Sequence, residues 1–355
     1  MTKYVIKGGK TLNGEVRISG SKNAALPIIV ATLLTKERVV IRNVPDLRDI
    51  RTIILLLNTL GSKTEFKKNV LIIDNSDINL FEAPYELVKT MRASVYVLGP
   101  LLGMYGKAKV SFPGGCAIGP RPVDLHLSGL EKLGAEIRQE HGFIVAETKK
   151  LKGSVINFPK VSVGATANIL MASVLAEGET VIENAAREPE IVDLAGFLLK
   201  MGAVIDGAGT ETIRIKGVKK LKGTEYRVIP DRIEAGTFIV LGAMKKNSIK
   251  VTNINISHLE YLVKDLKRIG VNITNDKNSV SVKGSGKLTG FDIKTLPFPG
   301  FATDLQPIIM VFMSFLPGIS AIHETIFENR FTHVGELLRM GADISIIDHV
   351  AIIRH

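Results

Sequence analysis

Residues 188–202 read EPEIVDLAGFLLKMG. Ile191, Leu194, Leu198 and Met201 follow 3-4-3 spacing, which predicts an amphipathic helix with one face on a core. Gly202 stands just after the last periodic residue, where a helix can stop in a left-handed turn. The ending recurs: LGSKTEF starts at Leu60, LGAEI at Leu133, MGAVI at Met201, IGVNI at Ile269 and MGADI at Met340. Successive starts lie 73, 68, 68 and 71 residues apart, so the chain is an array of related units. A second phrase, Leu-x-Gly, opens units at Leu12, Leu151, Leu221 and Leu288, and FEAPYE from Phe81 replaces it in one.

Each unit also holds a segment that is apolar nearly all round: NAALPIIVATLL, TMRASVYVLGPLL, TANILMASVLA, EAGTFIVLGAM and TDLQPIIMVFMSFL. Helices of that kind are expected to be buried on every side. Short alternating segments such as EVRIS and TIRIK read as half-exposed strands. The expected fold is therefore α/β, in units of about 70 residues with one helix inside and sheet plus amphipathic helix outside. The longest uncharged run, between Asp304 and His323, contains Gln306, Pro307, Ser314 and Pro317. It reads as a buried core helix, since a membrane span wants about 20 mostly apolar residues. The fifth unit ends near residue 345, shortly before HVAIIRH. Either one domain is a unit short or the sequence is a piece of a six-unit protein, and the second is the expectation.

A chain of 355 residues exceeds one ordinary core, so two domains are expected. Apolar content of 45% and charged content of 23% belong to a soluble globular protein. One cysteine excludes a disulfide framework and suits a reducing cytoplasm. The start MTKYVIKGGK has no apolar signal core, so export is not expected. Net charge is +11 with no basic block, and aromatic content is 6% with no tryptophan. That composition poorly supplies a stacking platform for single strands and favours small anionic ligands over nucleic acid or membrane.

Chemistry concentrates in two places. In ISGSKN, Gly20 and Ser21 make a turn and Lys22 and Asn23 stand at a helix entrance. Amides and dipole there favour an anion, and Lys22 adds a full charge; a solvated lysine beside an ordinary cap is the plainer alternative. In FPGGCAIGPRPVDLH, residues 112–126, Gly114 and Gly115 allow close backbone approach to a ligand around Cys116. Gly119, Pro120 and Pro122 frame Arg121, whose guanidinium can meet phosphate bidentately. Asp124 follows before an amphipathic helix. The segment reads as a thiol-bearing basic lid, or as a glycine-rich connection with an incidental thiol. GGKT at Gly8 to Thr11 is not a phosphate loop, because Tyr4 occupies the position of the required first glycine. No GxGxxG or HExxH occurs and one cysteine cannot build a thiolate cage, so no cofactor or metal is expected.

PGGCAIGPRPVDLH, together with SGSKNAALP, KTMRASVYVLGP, NAAREPEIVDLA, PDRIEAGTF and ETIFENRF, closely resembles the UDP-N-acetylglucosamine 1-carboxyvinyltransferases of the enolpyruvyl transferase family. The resemblance covers the whole chain. It implies a two-domain inside-out α/β barrel with three repeats per domain, five of the six being present. Residues 1–21 plus 230–355 would form the first domain, with its third repeat incomplete. Residues 22–229 would form the second, carrying the Cys116 loop, and helix N-termini of both would face a cleft.

The implied reaction moves the enolpyruvyl group of phosphoenolpyruvate to the 3-hydroxyl of UDP-N-acetylglucosamine and releases phosphate, the first committed step of bacterial peptidoglycan synthesis. By the resemblance, Cys116 would be the general acid and the point of alkylation by fosfomycin-like epoxides. A free thiol titrates near 8.5, while a nearby arginine favours the thiolate. Lys22, Asn23 and Arg121 would hold phosphoenolpyruvate. Arg92, Arg121, Pro122, Val123, Asp124, Leu125, Lys160, Ser162, Val163, Gly164, Asp304 and Ile326 would hold the nucleotide sugar. Asp304 would accept or orient the sugar 3-hydroxyl, unless it is a helix N-cap, and Arg330 would support that loop. The family continues for about one more repeat with further arginines, which leaves as alternative a non-catalytic UDP-sugar-binding relative of the same fold. A basic nucleic-acid-binding repeat protein and a phosphate cyclase on a similar fold are the remaining readings.

Overall fold

The five recurring glycines terminate five helices: Arg48–Leu60, Asp124–Lys132, Pro189–Lys200, Glu260–Arg268 and Val334–Arg339. The computed structural model describes residues 5–89, 91–112, 123–284 and 288–355. Gly61, Gly134, Gly202, Gly270 and Gly341 all lie in the left-handed region, with φ between 91° and 112°. Each turn closes with the same pair of bonds, as when Gly202 N–H donates to Leu199 and Ala203 N–H to Leu198. That is a Schellman closure, which satisfies carbonyls the helix end leaves open. Ile191, Leu194, Leu198 and Met201 are at most 1% exposed, as their spacing predicts.

Among the described residues there are five four-stranded sheets of one topology. A short leading strand pairs parallel with a second strand, which pairs antiparallel with the return strand of a hairpin. The sheet of Val155–Asn157, Glu179–Glu183, Thr212–Lys216 and Val204–Asp206 is typical. Two sheets borrow their leading strand from far along the chain. Asn13–Arg17 pairs with Ser248–Thr252, and Glu225–Arg227 pairs with Val40–Arg42.

The Leu-x-Gly phrase acquires a physical cause here. Leu151, Leu221 and Leu288 are 2%, 3% and 8% exposed and anchor the segment entering each leading strand. An added Cβ at Gly153 would overlap the Glu179 carbonyl, and at Gly223 the Arg38 carbonyl. The adjacent backbone comes too close for any side chain.

The chain divides into two compact units, Met1–Ile18 with Arg232–His355, and Ser19–Asp231. In the second, three sheets surround the helices Lys22–Ala31, Leu98–Tyr105 and Val163–Ser173, and residues 24–31 and 165–173 are entirely buried. The first holds two sheets, with helices Arg232–Ala243 and Gln306–Met313. These two are not covered on every side: Phe238, Leu241 and Ile308 are half-buried and Val311 is exposed. Two sheets cover less of a helix pair than three sheets cover of a triplet.

The run between Asp304 and His323 is not one helix. It is a 3₁₀ turn, Thr303–Leu305, the helix Gln306–Met313, and the strand Ile319–His323, with Gly318 at φ 95° between them. Pro317 and Gly318 break the helix, and β-branched Ile319 and Ile322 suit the strand. TMRASVYVLGPLL likewise divides into a 3₁₀ segment, Arg92–Val97, and the helix Leu98–Tyr105. No helix among the described residues is long and apolar enough to cross a membrane.

Candidate active site

In the unit Ser19–Asp231, the helix Lys22–Ala31 starts at a crossing of two chain segments. Ser21 N–H donates to the Ile229 carbonyl at 2.8 Å and Asp231 N–H to that of Ser19 at 2.9 Å. An added Cβ at Gly20 would overlap the Asn43 carbonyl, which is why the turn needs glycine. Ser21 caps the helix by accepting from Ala24 N–H at 3.3 Å. The N-terminal amides are partly engaged: Lys22 N–H donates to Asp231 Oδ2 at 3.2 Å. The Lys22 ammonium pairs with Asp49 Oδ2 at 3.0 Å, both side chains being about a third exposed. The ammonium and the amide of Lys22 are thus each answered by a carboxylate of the protein itself. Asp49 and Asp231 were not among the expected residues. Asp49 lies in the first turn of Arg48–Leu60, where acidic residues are common for dipole reasons alone.

The expected nucleotide-sugar segments of this unit converge on one buried side chain. Asn168, fully buried in the helix Val163–Ser173, donates from Nδ2 to the Val95 carbonyl at 3.1 Å and pairs with His126 Nδ1 at 3.1 Å. Its Oδ1 accepts from Gly99 N–H at 2.8 Å. With Nδ1 accepting from Asn168, the ring proton of His126 sits on Nε2. That atom faces Gly164, where an added Cβ would lie 3.0 Å away. Asn168 therefore ties its own helix, Val163–Ser173, to the 3₁₀ segment opened by Arg92, to the helix Leu98–Tyr105 and, through His126, to the helix Asp124–Lys132. Ser162 caps that helix through Ala165 N–H at 3.2 Å. Val123 and Leu125 are 7% and 8% exposed, Asp124 and Lys160 are exposed, and Val163 is 36% exposed. Cys116, Arg121 and Pro122 lie outside the described residues, as does the Arg92 side chain.

In the unit Met1–Ile18 with Arg232–His355, Asp304 does not cap the helix. Its Oδ1 accepts from Arg330 Nη2 at 2.8 Å, while Arg330 Nε donates to the Thr303 carbonyl at 3.2 Å. The Arg330 side chain is 12% exposed and Asp304 41% exposed, so the arginine is the fixed partner and the carboxylate the accessible one. Ile326 is half-buried on the loop that follows strand Ile319–His323. Glu324, absent from the expected set, anchors that loop. Among the described residues no cluster of His, Cys, Asp and Glu could hold a metal ion.

The profile of the family described as EPSP synthase (3-phosphoshikimate 1-carboxyvinyltransferase) matches residues 6–355. A protein of Geotalea uraniireducens named UDP-N-acetylglucosamine 1-carboxyvinyltransferase is 55% identical over 354 residues, covering 100% of this chain and 85% of its own. One of Caldanaerobacter subterraneus, named UDP-N-acetylglucosamine 1-carboxyvinyltransferase 1, is 53% identical over 352 residues, 99% of this chain and 85% of its own. Among solved structures, the enolpyruvyl transferase NikO of Streptomyces tendae superimposes with a TM-score of 0.87 at 23% identity, over 98% of this chain and 83% of that one. An EPSP synthase of Acinetobacter baumannii gives 0.72 at 19% identity, over 98% and 82%. Repeat topology, profile match and full-length identity agree: the chain belongs to the enolpyruvyl transferase family, among the UDP-N-acetylglucosamine 1-carboxyvinyltransferases.

Proposed function

We propose that this chain transfers the enolpyruvyl group of phosphoenolpyruvate to the 3-hydroxyl of UDP-N-acetylglucosamine with release of phosphate, in the cytoplasm, at the entry to peptidoglycan synthesis. The observation that carries the reading is 55% identity across the whole chain to a protein of that name. The two groups of site residues supply what the chemistry needs. Protonation of C3 of the enol makes C2 electrophilic, the sugar oxygen bonds to C2, and its proton passes to a base. Loss of a C3 proton and of phosphate from the resulting ketal restores the double bond. Cys116 donates the proton to C3, as the family resemblance implies, and is the point where an epoxide such as fosfomycin would alkylate. Asp304, accessible and aimed by Arg330, receives the hydroxyl proton. Lys22, Asn23 and Arg121 balance the charge of phosphoenolpyruvate. In that reading the anion competes with Asp49 for the Lys22 ammonium. Arg92, Arg121 to Leu125, Lys160, Ser162 to Gly164 and Ile326 seat the nucleotide sugar.

The test is phosphate release and mass detection of the enolpyruvyl nucleotide sugar, with each substrate omitted in turn. Product that requires both substrates supports the reading. Phosphate released without the sugar, or binding of the sugar with no transfer, overturns it; the second outcome selects the non-catalytic relative.

A further inference from the structure

We infer that Glu324 is a positioning residue for the transfer reaction, one that fixes Asp304 and Ile326 in a single frame. The inference rests on the function proposed above and names the group that aligns its hydroxyl acceptor.

Glu324 is 2% exposed. Its Oε1 accepts from Thr295 Oγ1 at 2.9 Å, Ile326 N–H at 2.8 Å and Phe327 N–H at 3.2 Å. Its Oε2 accepts from Thr303 Oγ1 at 3.0 Å. A carboxylate offers about four acceptor sites on two oxygens, and four donors reach this one, three at Oε1 and one at Oε2. The donors come from three places in the chain: the end of strand Asp292–Lys294, the turn Thr303–Leu305, and the loop after strand Ile319–His323. Thr295 closes the frame, accepting at Oγ1 from Thr325 N–H at 2.9 Å while its carbonyl accepts from the Thr325 hydroxyl.

Asp304 is thereby held from two directions. Arg330 aims its carboxylate, and the preceding residue is held by its hydroxyl on Glu324 and by its carbonyl on Arg330 Nε. Ile326 is fixed by its own amide on the same carboxylate. A group that only stabilised the fold would not need to join the turn bearing the acceptor to the loop bearing the sugar contact. Displacing a reacting group by about 1 Å can cost on the order of 10²-fold in rate.

Thr303→Val removes the hydroxyl at nearly constant shape, and Thr303→Ser restores it. With both substrates present, Thr303→Val should lower kcat by about 10- to 100-fold, leave the KM of UDP-N-acetylglucosamine within about threefold, and keep cooperative melting. Thr303→Ser should recover kcat to within about threefold. Glu324→Ala, which removes the oxygen that accepts from both the Ile326 and Phe327 amides, should speed hydrogen exchange at those amides. Wild-type kcat in Thr303→Val, or Thr303→Ser as slow as Thr303→Val, overturns the positioning role, as does unchanged exchange in Glu324→Ala. A wild-type chain that releases no phosphate overturns the transfer reading itself and this one with it, so the two failures are told apart.

Discussion

Asp193 makes stability depend on pH in a direction opposite to most carboxylates. It lies in the helix Pro189–Lys200, 4% exposed, and accepts from the Tyr226 hydroxyl at 2.8 Å and from Ile229 N–H at 3.2 Å. Burial pushes its carboxyl up from 3.8 to about 6; the Tyr226 and Ile229 bonds pull it down and Glu190 adds a little upward. The folded protein therefore holds this proton more tightly than the unfolded chain. Its contribution is fully present below about pH 4 and is lost as pH rises through about 6. Roughly two pH units at about 1.4 kcal/mol each give a swing of about 3 kcal/mol. Asp193→Asn cannot ionise; its amide oxygen can still accept from Ile229 N–H while the Tyr226 hydroxyl keeps the Asp193 main-chain carbonyl at 3.1 Å, so the cost of the exchange is pH-independent. Urea melts of both proteins between pH 4 and 7.5, followed by circular dichroism because the chain has no tryptophan, give the difference directly. The gap should move by about 3 kcal/mol in favour of the variant on going to neutral pH. Stability curves that run parallel would refute burial as the dominant influence on this group.

Replacing Cys116 by Asp should retain turnover while Cys116→Ala loses it, read by phosphate release; equal rates in both would remove the acid role. Asp304→Asn should cut kcat by about 10²-fold or more with little change in melting, because the Asp304 carboxylate is accessible and the acceptor is lost. Among the glycines, Gly134→Ala meets open space at φ 91° and should cost about 1–2 kcal/mol in urea melts. Gly153→Ala must push against the Glu179 backbone and should cost more than about 4 kcal/mol. Asp49→Asn should leave stability within about 1 kcal/mol, since its pair with Lys22 is partly exposed, yet lower the KM for phosphoenolpyruvate by freeing the ammonium.

The fold was legible wherever one residue type answers one backbone demand. Five glycines at left-handed helix ends and the close-approach glycines Gly153, Gly223 and Gly290 of Leu-x-Gly announced the units, because glycine alone takes those places without strain or overlap. The run from Asp304 to His323 misled because it carries no charge to mark where the helix gives way to the strand, although the strand itself alternates buried and exposed residues. The candidate site residues suggested themselves in the sequence where charge stands at a helix start after a glycine turn, as at Lys22. Its companions did not. Asp49, Asn168 and Glu324 act through bonds to residues 27, 42 to 73 and up to 29 positions away, and nothing in their neighbours' sequence signals that they bridge. Buried polar side chains are defined by what the fold brings to them.

The borrowed leading strands govern the order in which the molecule can be completed during synthesis. Asn13 pairs with Ser248, so at roughly 5–20 residues per second the first strand waits on the order of 12–47 s for its neighbour to emerge. For that interval an exposed β-edge trails from the ribosome. Glu15 and Arg17 within it, and Lys7 and Lys10 just before it in the sequence, supply charge, the kind of composition that keeps a waiting strand from pairing with another nascent chain.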